Sequence, residues 1–554
     1  MRITDNIDLF YPNGESKKRA AERRREIRES GSMYAEDLRL DNIKRLITLA
    51  GSERFMALAE ELSVDIGTIE YRLDCLEDFL NNPDLAQTFR RVIAELSGRR
   101  PDMDEEPDDN IDSFYDIQDK MDELSFFIGS IEEINKIYKR IGHSVKSAAM
   151  RGLFEFFGSL PQREEFITIA RSLSELKDTF SKTIRSVKIG VNFDGNMIPD
   201  SAGIIEVSYD KIYPKGNILE RMVFGDTKGK EKFTGEEHLN SLTHRTPVDI
   251  DTALFRELSD YTRDYAKRIS AALRSYRVSF FTDISELEQQ LDYYEGASAF
   301  IKSVQARGLP MCRPKLLPPG QRCMKLKGTF DLSFYKQLVG EDARAMLSER
   351  IVTNDIELND SIRFYMVTGA NNGGKTPFAR AVGLCQVMAQ AGLYVPAECA
   401  EIALCDNIFT HFPRDEQVGI DTSRFTTEIK DLKAIACRMT DRSMVILNES
   451  LQSTTPEECM KIAEIHLELL AAAGVRGLYV THLTGLYKNI LQLNKQGFTT
   501  KLDSLVSLAG ENDTRLYKLV RRPPSGESLA MSIYKQFGAR LEDIGAFYEK
   551  IYFI

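Results

Sequence analysis

Leu38, Leu40, Ile43, Leu46 and Ile47, then Phe55, Leu58 and Leu62, then Ile69, Leu73, Leu76, Phe79 and Leu80 recur at spacings of three and four. That period predicts successive packed helices from about Ala35. It returns at Leu124, Ile128, Ile131, Ile134 and Ile137 and continues through Phe166, Ile169, Leu173 and Leu176. At about Ser186 the period changes to two. Val187–Val191 and Ile204–Ser208 alternate as strands do across a turn-rich stretch, predicting a small β insertion over about 186–247 with Lys228–Lys232 at a loop tip. Helical spacing resumes at Leu254, Leu258, Tyr261, Tyr265, Ile269 and Leu273, then at Ile284, Leu287 and Leu291. Pro310, Pro314, Pro318 and Pro319, with Gly308 and Gly320, mark a linker and a domain boundary. Beyond it, the apolar runs Phe364–Thr368, Met444–Leu447 and Leu478–Thr481 alternate with helical stretches, the order expected of a parallel sheet covered on both faces.

The chemistry concentrates after the first of these runs. Gly369-Ala370-Asn371-Asn372-Gly373-Gly374-Lys375-Thr376 fits G-x-x-x-x-G-K-[ST], with a strand before it and a helix expected from about Pro377 to Gly392. Gly369, Gly373 and Gly374 lack a Cβ, so the backbone is free to curl and point N–H groups at a polyphosphate. Lys375 adds a flexible positive charge, and Thr376 offers a hydroxyl to Mg²⁺. A chance glycine-rich turn would not explain the flanking strand and helix. Downstream, the run Met444–Leu447 ends in Asn448 and Glu449, the form of a Walker B strand with Glu449 where a general base orients water.

Composition narrows the classes. At 554 residues and a formal net charge of -11, the chain has room for several domains and is no polycation, so nucleic acid would have to meet a local basic surface. Lys17–Glu29 is a run of helix-forming charged residues, read as a solvated helix or frayed arm or, more sharply, as an arm that touches phosphates. The acidic stretch Asp102–Glu123 should repel DNA. Met1–Tyr34 is polar, and no apolar run is long enough to cross a bilayer, so a cytoplasmic protein without membrane contact is expected. Eight scattered cysteines without a C-x-x-C pair, and six dispersed histidines, indicate neither a zinc site nor a disulfide framework.

Seven segments in order resemble the ATPase domain of the MutS family, the DNA mismatch repair branch of ABC-type ATPases. They are Val352–Ile356, GANNGGKT, Gly392–Glu398, Asp406–Thr410, Gly419–Glu428, Leu447–Glu449 and Thr481-His482. DLRLDNIKRLI from Asp37 and TIEYRLDCLEDFLNNPDL from Thr68 look like the family's core and lever region. The resemblance implies a mixed fold: an arm over 1–33, an all-α core and lever region over 34–309 with the β insertion, and an α/β P-loop ATPase domain over 310–554. Helices in Pro523–Ile554 are expected to serve dimerisation. It implies ATP and Mg²⁺ as cofactors, Asn354 on the adenine side, and Thr376 and Asn448 at the metal. Glu449 and His482 would act at the γ-phosphate, and Ser423 would complete the site of a partner subunit, so that a homodimer clamps DNA by its structure rather than its sequence.

Departures qualify that picture. Asn448 stands where the family carries aspartate, which predicts weaker metal binding and slow turnover. Pro377 replaces a hydroxyl residue, and Ser450–Pro456 replaces a glycine-containing turn. The mismatch-reading domain has no room before the helices near Tyr34, so a short member lacking it is expected. The alternative is a scaffold or regulator that binds ATP tightly, hydrolyses little and acts on a protein or ribonucleoprotein partner. Asn448 and the acidic balance favour it.

Overall fold

The computed structural model of the chain describes residues 7–47, 52–98, 114–181, 186–193, 195, 199–208, 284–341, 346–370, 373–413, 424–451, 455–498, 500–509 and 515–524. Its main helices are α1 (Gly14–Glu29), α2 (Ser52–Glu61), α3 (Ile66–Asn81), α4 (Phe114–Ile141), α5 (Ala148–Ser159), α6 (Glu164–Ser181), α7 (Lys375–Ala391), α8 (Arg424–Arg438), α9 (Pro456–Ala473) and α10 (Leu486–Leu493). Residues 284–306 are also helical. The strands are β1 (Ser186–Phe193), β2 (Pro199–Ser208), β3 (Lys315–Leu317), β4 (Met324–Thr329), β5 (Asn354–Leu358), β6 (Phe364–Thr368), β7 (Cys399–Ala403), β8 (Ile408–His411), β9 (Met444–Asn448), β10 (Arg476–Val480), β11 (Leu502–Ala509) and β12 (Arg515–Arg521). The fold is mixed, helical in its first part and α/β afterwards. Two compact units divide it, one from Arg91–Arg140 and Leu153–Ser285 with Met1–Ile3, the other from Thr4–Arg90, Ile141–Gly152 and Glu286–Ile554.

In the first unit the apolar stripe of α4 is buried, with Ile131 and Ile134 fully enclosed. Aromatic pairs join it to the helices that follow: Tyr138 stacks on Phe154 at 4.9 Å, and Phe127 meets Phe166 at 6.0 Å. β1 and β2 form the antiparallel pair that the alternation predicts, Ser186 opposite Ser208, with irregularities after Lys188 and Asn192. Residues 209–247 of the expected insertion, with Lys228–Lys232, lie outside the described residues, as does the helix expected over 254–273.

The second unit holds two sheets. The larger has the order β12-β11-β6-β10-β9-β8, parallel throughout except for β12. Its central strands are enclosed on both sides, which is why β6, β9 and β10 are continuous apolar runs. One face carries α8, α9 and α10 over a core that includes Phe364, Met366, Leu447, Leu467 and Ile490. The other carries α7. The smaller sheet, β3-β7-β4-β5, is mixed in direction and was not legible as strands. In β4 and β5 buried positions alternate with exposed Lys, Asp and Glu, so no apolar run forms.

α7 is buried along nearly its whole length because α2 and α3 pack on the side away from the sheet. At Gly383 the fit is so close that a Cβ would lie 2.7 Å from Leu38 and 2.9 Å from Ile446. Buried glutamines serve the polar groups that this enclosure traps. Gln390 Nε2 donates to the carbonyls of Leu62 (3.1 Å), Ser63 (3.0 Å) and Cys405 (3.0 Å), while its Oε1 accepts from the Cys405 amide (3.1 Å).

Residues 17–29, expected as a solvated helix or frayed arm, lie in the largely exposed helix α1, and the segment before it is docked. Leu9, Phe10 and Tyr11 are core residues. Arg72 Nε donates to Phe10 O (3.0 Å), and its Nη2 lies 2.9 Å from both carboxylate oxygens of Glu61, which also accepts from Tyr11 Oη (2.9 Å). Burial pushes the Tyr11 hydroxyl up to about 12, so it donates throughout the ordinary pH range. Asn13 caps α1, and the charge run pairs internally or with neighbours, as in Arg25–Glu29 and Arg28–Glu60. Beyond α1, Ser32 Oγ donates to Ile408 O and covers the edge strand β8.

Replacing Gln390 with Leu would strand three carbonyls and an amide inside the protein. We expect this unit to lose about 3 kcal/mol of stability, several buried groups costing roughly 1–3 kcal/mol each with partial relaxation, read as a lowered midpoint in urea unfolding.

Candidate functional site

The site forms where parallel strands end side by side. Val480 of β10 is in register with Val367 of β6 and with Asn448 of β9, so the segments after these three strands meet at one edge although they are far apart in sequence. Open α/β sheets gather ligands at such carboxyl ends.

After β6 the backbone turns sharply. Gly369 has φ 126°, and a Cβ there would lie 2.8 Å from Ser507 Cβ; one on Gly373 would lie 2.5 Å from Ser507 Oγ. The loop is therefore pressed onto β11, where Ser507 Oγ donates to Gly373 O at 2.6 Å. Gly374, with φ 84°, opens α7. Asn371 and Asn372 lie outside the described residues.

Lys375 begins α7 with only 4% of its surface exposed, and its Nζ donates to the carbonyls of Gly369 (2.9 Å) and Ala370 (2.8 Å). Burial lowers its pKa, and the Glu449 carboxylate opposes that shift. Thr376 Oγ1 donates to Asn448 Oδ1 at 2.8 Å, joining two of the residues expected at the metal. Asn448 is itself 4% exposed. Glu449 has φ 49°, a left-handed conformation that costs a non-glycine residue roughly 1–2 kcal/mol. Its amide donates to Val480 O at 2.8 Å, and its Oε1 lies 2.8 Å from His482 Nε2.

These groups face a cavity of about 950 Å³ lined by Gly373, Gly374, Lys375, Thr376, Glu449 and His482 together with Asn354, Arg350 and Tyr517. Apolar side chains line it as well, Phe330, Phe334, Leu338 and Ile351, beside the buried Asp331. Burial raises the Asp331 pKa, while the Ser333 amide donates to its Oδ1 at 2.8 Å and steadies the carboxylate. Such a mixture suits a ligand with an anionic end and a flat or apolar end.

Asn354 reaches this cavity, but its amide is committed. Nδ2 donates to Tyr517 O (3.0 Å), and Oδ1 accepts from Leu519 N (2.8 Å), stitching β5 to β12. Tyr517 was not anticipated. It is 42% exposed, has φ 53°, and its ring edge lies 3.4 Å from where a Gly374 Cβ would be. An aromatic among charged residues in a short strand gave no local signal, and Ser507 gave none either. Ser423 lies outside the described residues, and α8 begins just after it at Arg424. Among the described residues there is no cluster of His, Cys, Asp and Glu able to hold a metal ion alone, and no helix long and apolar enough to cross a membrane.

A family model, MutS domain V, matches residues 365–538 and so covers the ends of β6, β9 and β10 at this cavity. A second, the MutS2 N-terminal domain, matches residues 64–307. Both models are of the MutS family, and between them they match most of the chain. The chain is 27% identical over 369 residues to the DNA mismatch repair protein MutS of Chloroflexus aurantiacus, an alignment covering 65% of the chain and 34% of that relative. It is 24% identical over 430 residues to the same-named protein of Thermosipho melanesiensis, covering 68% and 49% of the two. Over a shorter stretch of 139 residues it is 34% identical to the Thermotoga maritima protein of that name, or 25% of this chain and 18% of the relative. The chain thus spans a third to a half of the length of the first two of these relatives.

Because Asn354 ties two strands, Asn354→Ala should lower stability by about 2 kcal/mol, the cost of stranding a buried amide and carbonyl, and thermal unfolding of the ligand-free protein measures it.

Proposed function

We propose that this protein is a MutS-type ATPase, with an ABC-type P-loop domain over about 310–554, that couples ATP binding and slow hydrolysis to clamping of DNA as a homodimer in the cytoplasm. The observation that carries this reading is the convergence of Lys375, Thr376, Glu449 and His482 on one cavity at the N-terminus of a buried helix. Helix dipole, loop amides and ammonium all favour a polyphosphate there. Lys375 would exchange the carbonyls of Gly369 and Ala370 for phosphate oxygens, relieving a buried cation of its missing counter-charge. The base would lie toward Tyr517 and the apolar side chains, with Asn354 shaping that wall rather than donating to the ring.

The donor set suits Mg²⁺. A hydroxyl and an amide carbonyl are hard oxygen ligands, and the bound cation would neutralise phosphate charge beside Thr376 and Asn448. Neither residue brings negative charge, however, so affinity for the cation is low and hydrolysis is slow. Glu449 is the general base that orients water, and His482, already paired with it, holds the carboxylate until a γ-phosphate draws the imidazole away. Ser423 completes the partner's site, and the region over about 34–309 acts as core and lever. DNA would be recognised by shape, such as a branch or distorted duplex, rather than by a base edge.

A second reading, the slowly hydrolysing scaffold that acts on a protein or ribonucleoprotein, is favoured by the Thr376–Asn448 bond, which leaves the metal position closed upon itself. ATPase rate with and without duplex, branched and single-stranded DNA at two salt concentrations separates the two. Stimulation that falls steeply with salt supports the DNA clamp, whereas indifference at low salt supports the scaffold.

Lys375→Ala should weaken nucleotide binding roughly 10- to 100-fold, the worth of a charged hydrogen-bond donor, in a fluorescent-nucleotide titration. Native turnover should lie below about one per second. Asn448→Asp is expected to raise it and Glu449→Gln to abolish it in either background. A native enzyme faster than that, slowed by Asn448→Asp, would make Asn448 an adapted part of the site.

A further inference from the structure

The turn after β9 is unusual twice over. Glu449 and Leu451 both have left-handed φ, 49° and 73°, and neither is glycine. Such a backbone persists only where its surroundings hold it. On one side the Glu449 amide is bonded to Val480 O of β10 at 2.8 Å. On the other, Ser450 Oγ lies 2.7 Å from Nδ1 of His411, the last residue of β8. Both side chains are buried, 5% and 6% exposed. Leu451 is enclosed, and its carbonyl accepts from the Cys459 thiol.

His411 is in register with Leu447 of β9, so its imidazole reaches past the strand end into the turn. Neither His411 nor Ser450 lines the cavity, yet Ser450 is bonded through the main chain to Glu449, which does. Two apolar side chains of similar size would fill this space without burying polar groups. What the hydroxyl–imidazole bond adds is direction: it fixes one rotation of the turn, and with it the aim of the Glu449 carboxylate.

We propose that His411 is a positioning residue for hydrolysis, holding Ser450 and through it the backbone from which Glu449 meets the nucleotide. This rests on the ATPase reading above. Nucleotide binding depends on the loop after β6 and is unaffected, so the signature is a loss in the chemical step alone.

The test is single-turnover hydrolysis of ATP by the full chain in excess, beside nucleotide affinity and hydrogen exchange of the Glu449 amide without nucleotide. Ser450→Ala and His411→Leu should each slow hydrolysis about tenfold or more, a typical loss for a misaimed group, with affinity unchanged and the Glu449 amide exchanging faster. His411→Asn, which keeps a polar atom near the place of Nδ1, should restore most of the rate. The double variant should be no slower than the slower single one, since both remove the same bond. Unchanged hydrolysis in Ser450→Ala, unchanged exchange, or losses that add in the double variant would overturn the proposal. Hydrolysis that depends on Glu449 but ignores both substitutions removes the positioning role alone. A native chain that neither binds nucleotide nor hydrolyses it through Glu449 removes the ATPase reading, and this role with it.

Discussion

The enclosure of α7 is the constraint on which the second unit depends. A helix buried on all sides cannot tilt without disturbing both the sheet beneath it and the helices above it. Its first residues, Lys375 and Thr376, are thereby fixed relative to the ends of β9 and β10, and its far end is fixed too, since a Cβ on Gly392 would lie 2.6 Å from Arg72. Enclosure traps polar groups, and the same helix answers for them through Gln386 and Gln390. Arg476 is the hardest case. Burial lowers its pKa, and instead of a carboxylate it meets the carbonyls of Cys323 and Ala403 and the side chain of Gln386.

Among the described residues, the polar groups proposed to act in the cavity each have a protein partner: Lys375 with two carbonyls, Thr376 with Asn448, Glu449 with His482. A ligand therefore exchanges hydrogen bonds rather than adding them. The free energy it gains is a difference between partners, which keeps affinity moderate and ties occupancy to rearrangement. The left-handed backbone at Glu449 belongs to the same economy of local strain held by neighbours.

What the sequence disclosed follows from burial. β6, β9, β10 and α7 are enclosed, so their apolar residues run together and their periods are plain. β4, β5 and β7 each present one face to solvent, and their short alternations with charged residues lie far in sequence from their pairing partners, without the hairpin turn that marks β1 and β2. Residues 8–11 are too few to show a period, yet they lie in the core because Arg72, Gln290 and Tyr294 bond their backbone. Within the cavity, Lys375, Thr376, Glu449 and His482 were legible through motif and resemblance. Asn354 was legible as a neighbour of the cavity but not as a tie between strands, because its partners are backbone atoms of β12, remote in sequence and silent in composition.

The second unit is discontinuous along the chain, and the bonds of its first residues show what that means during synthesis. Leu9 donates to Gln290 and accepts from Tyr294, while Arg90 pairs with Asp292 and Glu295. Until residues near 290 have left the ribosome, the N-terminal segment has no complete place to dock, and its apolar side chains must wait exposed. The intervening unit, with its locally paired helices, is free to fold first. Assembly of the second unit is thus a late, long-range closure in which residues 8–11 and residues near 290 meet in one core, and a nascent chain stalled before that point carries an unsatisfied, aggregation-prone start.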